Sequence, residues 1–110
     1  SPRPTPAPTP APTTPAPTVS YPASMGCYTD KKDDRVLTNM LTSASMTPLV
    51  CATHCSSYPY FGTQYGTECW CGGAGTDFDK HGTSSSCTTA CSGDGSVTCG
   101  GYYAFQLYDN

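Results

Sequence analysis

The sequence predicts a small disulfide-rich α+β domain: one main helix packed on a short antiparallel β-sheet, behind an extended Pro/Thr-rich linker. Three observations carry this. All eight cysteines fall between Cys27 and Cys99, a density that belongs to an oxidising compartment and a disulfide framework. Residues 1–22 alternate Pro with Ala and Thr, whereas residues 23–110 are rich in aromatic and small residues. Between Thr47 and Gly72, a pair of cysteines at helical spacing precedes a pair at strand spacing.

In residues 1–22 proline removes donors and fixes φ, and there is almost nothing apolar to bury. The segment is expected to run as polyproline II, on the order of 60 Å long. Thr5, Thr9, Thr13, Thr14 and Thr18 beside prolines read as O-glycosylation acceptors of a mucin-like stalk. The alternative, a Pro-rich ligand for an SH3-type domain, fits poorly outside the cell. The chain opens on Ser1 rather than Met, which reads as a processed or excised piece of a larger secreted protein.

The domain then begins with a short strand at Gly26–Thr29, closed by the polar run Asp30 to Asp34. A second short strand is expected at Arg35–Leu37, and a loop over Thr38–Ser45. Thr47 followed by Pro48 reads as an N-cap and first helical residue, so Cys51 and Cys55 fall one turn apart on one face. The helix is expected to end near Ser57, because Pro59 disfavours helical geometry at Tyr58. Tyr60 to Gly72 reads as two strands around a Gly66-Thr67 break.

On the second of these strands Cys69 and Cys71 point the same way, roughly 6 to 7 Å apart. A helical i, i+4 pair has about the same separation. Two parallel disulfides, Cys51 with Cys69 and Cys55 with Cys71, would therefore rivet helix to sheet. A loop rich in Gly, Ser and Thr leads to Cys87 and Cys91, then a turn at Ser92–Gly95. Cys99-Gly100-Gly101 introduces a last strand, Tyr102 to Tyr108, with Phe105 and Leu107 as core.

The net charge is −3, and the only cations of the cysteine-rich part are Lys31, Lys32, Arg35 and Lys80. Nucleic acid and anionic membrane surfaces are therefore excluded as expected partners. No apolar run reaches the roughly 20 residues of a membrane span. His54 and His81 have no context resembling a nucleophile elbow or metal motif and read as surface residues. Oxidised cysteines leave no thiolate nucleophile, so no catalytic residue and no cofactor is expected. Disulfides fit the cysteines better than a Cys₄ zinc site, and plain solvation fits Asp77, Asp79 and Asp94 better than a calcium site, so no metal is expected.

Aromatic side chains are the remaining chemical resource. Trp70 lies between two cysteines that face the helix, so alternation sends it to the far side of the sheet. With one helix to cover the sheet, that side is expected to be open, and an exposed Trp there would bind something. The alternative packs Trp70 under the Gly73–Ser86 loop. Tyr60 and Gln64 share a face of the preceding strand, and Tyr102 and Tyr103 read as loop aromatics. These five form the expected ligand-binding set, whereas Tyr28, Tyr65 and Tyr108 read as structural.

The run Gly26-Cys27-Tyr28-Thr29-Asp30, the Cys-x-x-x-Cys helix and Tyr65-Gly66-Thr67-Glu68-Cys69-Trp70-Cys71-Gly72 together resemble the WSC domain. So do Cys87-x-x-x-Cys91, Gly93-Asp94 and Cys99-Gly100-Gly101. The resemblance covers Gly26 to Tyr108, with Tyr102-Tyr103 standing where the family more often has small polar residues. It implies a PAN/apple-related fold and the pairings Cys27–Cys87, Cys51–Cys69, Cys55–Cys71 and Cys91–Cys99. It also implies a secreted, cell-wall-associated module of the kind found in fungal wall stress sensors and appended to secreted fungal oxidases and glucanases. The implied partners are polysaccharide (β-1,3-glucan, chitin or xylan) and a covalently linked neighbouring domain. The alternative is a structural or mechanosensing wall module that self-associates through exposed aromatics.

Overall fold

The computed structural model describes residues 20–110. The linker expected over residues 1–22, with its threonines, therefore lies outside the described residues except at its last three positions. Tyr21 is one of these, and its hydroxyl donates to Asp94 Oδ2 at 2.7 Å, so the segment is tied to the domain from there on.

A five-stranded antiparallel sheet runs in the order β1-β7-β3-β4-β2. Its strands are β1 (Gly26–Thr29), β2 (Thr38–Thr42), β3 (Tyr60–Gln64), β4 (Glu68–Gly72) and β7 (Ala104–Asp109). One helix, α1 (Pro48–His54), packs on β3 and β4. A separate hairpin pairs β5 (Ala90–Cys91) with β6 (Asp94–Thr98).

Thr47 caps α1 as its residue type predicts: extended at φ −140°, it accepts from the Val50 N–H at 3.1 Å. The helix stops at His54, three residues short of the expected Ser57, and the chain continues as turns to Tyr58. Two turns suffice because the helix is fixed covalently. Cys51–Cys69 and Cys55–Cys71 bridge it to β4 with Cα separations of 5.2 and 5.4 Å, inside the usual range. Cys27–Cys87 joins β1 to the loop before β5, and Cys91–Cys99 closes the small hairpin. All four are the pairings that the resemblance implies.

The helix-side core is built from these bridges. Six of its nine buried residues are half-cystines, packed with Met46, Phe61 and Tyr108; the Phe61 and Tyr108 rings stack at 4.9 Å. The far face of the sheet is not open, contrary to expectation. Leu37, Phe105 and Leu107 form a second buried cluster there, joined by Tyr28, Tyr60, Trp70 and Phe78. Leu37 belongs to a bend rather than to the expected strand at Arg35–Leu37, and it lies over Gly62 and Gly72, each of which would clash with it if given a Cβ. Phe78 comes from the long loop and packs edge-on to Tyr28 at 5.3 Å.

The expected loop at Thr38–Ser45 instead holds edge strand β2. All five of its residues are exposed, so its sequence carries no alternation to reveal it. The final strand starts at Ala104, not Tyr102, because Gly101 and Ala104 close a tight turn on each other. Neither histidine is a free surface residue. His54 is half-buried with Nε2 unpartnered, and His81 Nε2 sits 2.9 Å from the Asp34 carbonyl.

Candidate functional site

The tip of the β3–β4 hairpin and the Gly101–Ala104 turn meet over the far face of the sheet, and a polar cleft opens between them. The Cys99-Gly100-Gly101 run makes the meeting possible. A Cβ on Gly101 would lie 1.7 Å from the Ser86 carbonyl, and one on Gly100, at φ +69°, 2.2 Å from that of Thr63. Only glycine lets three backbone segments approach this closely. Across the contact Gly66 N–H donates to the Cys99 carbonyl at 2.9 Å and Tyr65 N–H to that of Gly101 at 3.3 Å.

Tyr102 and Tyr103 occupy the centre of the turn, and their rings meet edge-on at 4.7 Å. Tyr103 (φ +47°) and Tyr65 (φ +59°) are both left-handed, uncommon for bulky residues and found where surrounding structure enforces it. Tyr102 is 70% exposed and Tyr65 56% exposed, with ring centroids 6.3 Å apart and planes tilted by 55°.

Arg35 forms one wall of the cleft. Its guanidinium lies 4.7 Å from the Trp70 ring centroid and 5.4 Å from that of Tyr103, within cation–π range of both. It also donates to Asp30 Oδ2 at 2.7 Å. Asp30, 4% exposed, accepts from the Val36 N–H as well, and its own N–H donates to the Tyr103 carbonyl. One buried carboxylate thus fixes the Arg35 loop and the tyrosine turn together.

Gln64 and Glu68 face each other across the β3–β4 ladder and line the cleft with Arg35, Tyr65, Tyr102 and Tyr103. Glu68 Oε1 accepts from Trp70 Nε1 at 3.2 Å. Gln64 is 3% exposed, yet its carboxamide makes no hydrogen bond among the described residues. Its polar atoms are not sealed in either, so what solvent they meet is in the cleft. The volume is ≈ 220 Å³.

Of the five residues expected to bind, Gln64, Tyr102 and Tyr103 line this cleft. Trp70 takes the expected side of the sheet, half-buried against the Leu37 cluster with Arg35 over its ring; it supports the wall. Tyr60 shares the face of Gln64, as parity predicts, but stands four residues along β3, about 13 Å away, against Phe78. Sequence reasoning assigned Tyr65 to structure and passed over Arg35 and Glu68. Exposure of Tyr65 at a hairpin tip was within reach of the Gly66 turn signal; the placement of Arg35 is set by tertiary contacts alone.

The cysteine clusters offer no metal site. Among the described residues Cys51, Cys55 and Cys69 form one group within ligand distance and His54, Cys55 and Cys71 another, but all of these cysteines are in disulfides. A shallow apolar groove lined by Leu41, Leu49, Val50, Thr53 and His54 runs along the helix side. Among the described residues no helix is long and apolar enough to cross a membrane.

The WSC domain model matches residues 24–101. The chain is similar to a WSC domain-containing protein of Arthroderma benhamiae, 39% identical over 84 residues that make up 76% of this chain and 12% of that protein. It is likewise 39% identical to the xylosyltransferase oxt of Drosophila melanogaster, over 86% of this chain and 11% of the relative. Kremen protein 1 of Mus musculus is 34% identical over 84% of this chain and 20% of its own length. The matched unit is thus a small part of longer chains, fungal and animal. With its four bridges and their spacing, the chain belongs to the WSC domain family.

Proposed function

We propose that the chain is a non-catalytic carbohydrate-binding module that holds a covalently joined partner domain on cell-wall polysaccharide of the β-1,3-glucan, chitin or xylan class. Residues 1–22 serve as an O-glycosylated spacer, and the whole works outside the cell. The observation that carries this reading is a cleft that gathers the Gln64, Glu68 and Arg35 polar groups beside the exposed rings of Tyr65 and Tyr102. Sugar rings offer apolar C–H faces to aromatic side chains and hydroxyls to amide, carboxylate and guanidinium groups. Binding is weak per site, since a shallow cleft buries little area and orders a flexible glycan; dense targets compensate through avidity.

The test is depletion of the module from solution by insoluble β-1,3-glucan, chitin and xylan. Retention that falls at least fivefold in Tyr102→Ala, with the unfolding midpoint unchanged, supports the reading. No retention on any of them overturns it. The rival, a wall element that self-associates, draws on the same exposed Tyr65 and Tyr102; concentration-dependent dimers in sedimentation velocity, without glycan retention, would favour it.

A further inference from the structure

Resting on that reading, we infer that the cleft takes single, non-crystalline glycan chains or chain ends and rejects the flat face of a crystalline polysaccharide. A crystalline face is a plane, and rings that bind it must lie in a plane themselves. Here they do not. Tyr65 and Tyr102 are tilted by 55° with centroids 6.3 Å apart, and Tyr102 and Tyr103 by 80° at 4.7 Å. A plane laid on the Tyr102 ring meets Tyr65 at a 55° tilt and Tyr103 edge-on, so one flat stacking contact is all it gains.

The polar groups lead to the same conclusion. Gln64 is 3% exposed whereas Tyr65 and Tyr102 beside it stand out into solvent, so a rigid plane resting on the rings does not reach its carboxamide. A chain that enters the recess meets the carboxamide, the Arg35 guanidinium and Glu68 while stacking on the rim. The volume of ≈ 220 Å³ is below the roughly 300 Å³ at which small-molecule pockets begin, which matches a single sugar ring held at a time. The 55° between the two exposed rings further favours a chain whose successive sugars are turned relative to one another.

The experiment measures depletion on matched forms of one polymer: crystalline and swollen chitin, granular and gelled β-1,3-glucan, insoluble and soluble xylan, each normalised to accessible surface. Soluble hexamers of the same sugars serve as competitors. The expected result is at least tenfold greater retention on the swollen form, competition by the hexamer, and comparable losses in Tyr65→Ala and Tyr102→Ala. Equal or greater retention on the crystalline form, uncompeted by hexamer, would overturn the inference and leave the carbohydrate reading standing. Dependence on Tyr102 alone would also overturn it, because a plane needs only one ring. Absence of binding to every form defeats both.

Discussion

Removing the Cys55–Cys71 bridge by a double change to alanine tests how far covalent links hold this domain. The two residues are 16 apart in sequence, and Cys51 and Cys69 are 18 apart. Alone, either bridge closes a loop whose entropy corresponds to about 3 kcal/mol. Their loops interlock in sequence, however. With Cys51–Cys69 in place, the shortest path from Cys55 to Cys71 runs through it, about eight residues, and the second closure contributes about 2.5 kcal/mol. Losing one bridge therefore costs about 2.5 kcal/mol, and losing both about 5 to 6, against a total of roughly 5 to 10 for a domain this size. Urea unfolding followed by Trp70 fluorescence reads this out. The single-bridge variant has a lower midpoint and a somewhat larger slope, since its unfolded state exposes more surface; the variant lacking both keeps no more than about half of the parent midpoint. A both-bridge variant that keeps the parent midpoint would refute the reasoning, because the apolar contacts would then suffice.

Other outcomes follow from single contacts. Gly62→Ala brings a Cβ to 2.5 Å from Leu37 Cδ1 and is expected to cost about 1 to 3 kcal/mol in chemical denaturation; an unchanged midpoint would mean that Leu37 is not packed there. Arg35→Lys keeps a charge for Asp30 but loses the planar stack on Trp70 and Tyr103, with an expected loss of about 1 kcal/mol and a changed Trp70 emission. The Tyr21–Asp94 bond sets a pH window. Hydrogen bonds from Ser96 and Tyr21 lower the Asp94 pKa, so its contribution is present above the ordinary value near 3.8 and is lost as pH falls through the lowered one. The bond to Asp94 raises the Tyr21 pKa, so that contribution is present below about 10 and is lost as pH rises through the raised value. Amide exchange at Ser20–Ser24 is therefore expected to differ between wild type and Tyr21→Phe throughout about pH 4 to pH 10, and the difference to shrink as pH falls through the lowered Asp94 pKa or rises through the raised Tyr21 one; no difference within that window would contradict the assignment.

The parts of the fold legible in the sequence are those fixed by local chemistry. Thr47-Pro48 located the helix start, the two cysteine spacings gave the helix-to-strand rivets, and Gly66-Thr67 separated β3 from β4. Strand β2 was invisible because an edge strand exposed on both faces needs no alternation. The covered far face was invisible for a different reason. Leu37 and Phe78 arrive there from irregular segments, and nothing in their neighbourhoods says which glycines they will cover. The same holds for the cleft. Gln64, Tyr102 and Tyr103 could be named from position and type, but Arg35 reaches Trp70 only through the buried Asp30, a pairing that spacing does not encode. Trp70 was placed on the right side and given the wrong neighbour.

The most direct test is an amide and side-chain NMR titration of the domain with a soluble hexamer of the polysaccharide that retains it. The account predicts shifts concentrated at Arg35, Gln64, Tyr65, Glu68, Tyr102 and Tyr103, including the Gln64 side-chain amide. Shifts gathered instead along Leu41, Leu49 and Val50, or none at saturating hexamer, would contradict it.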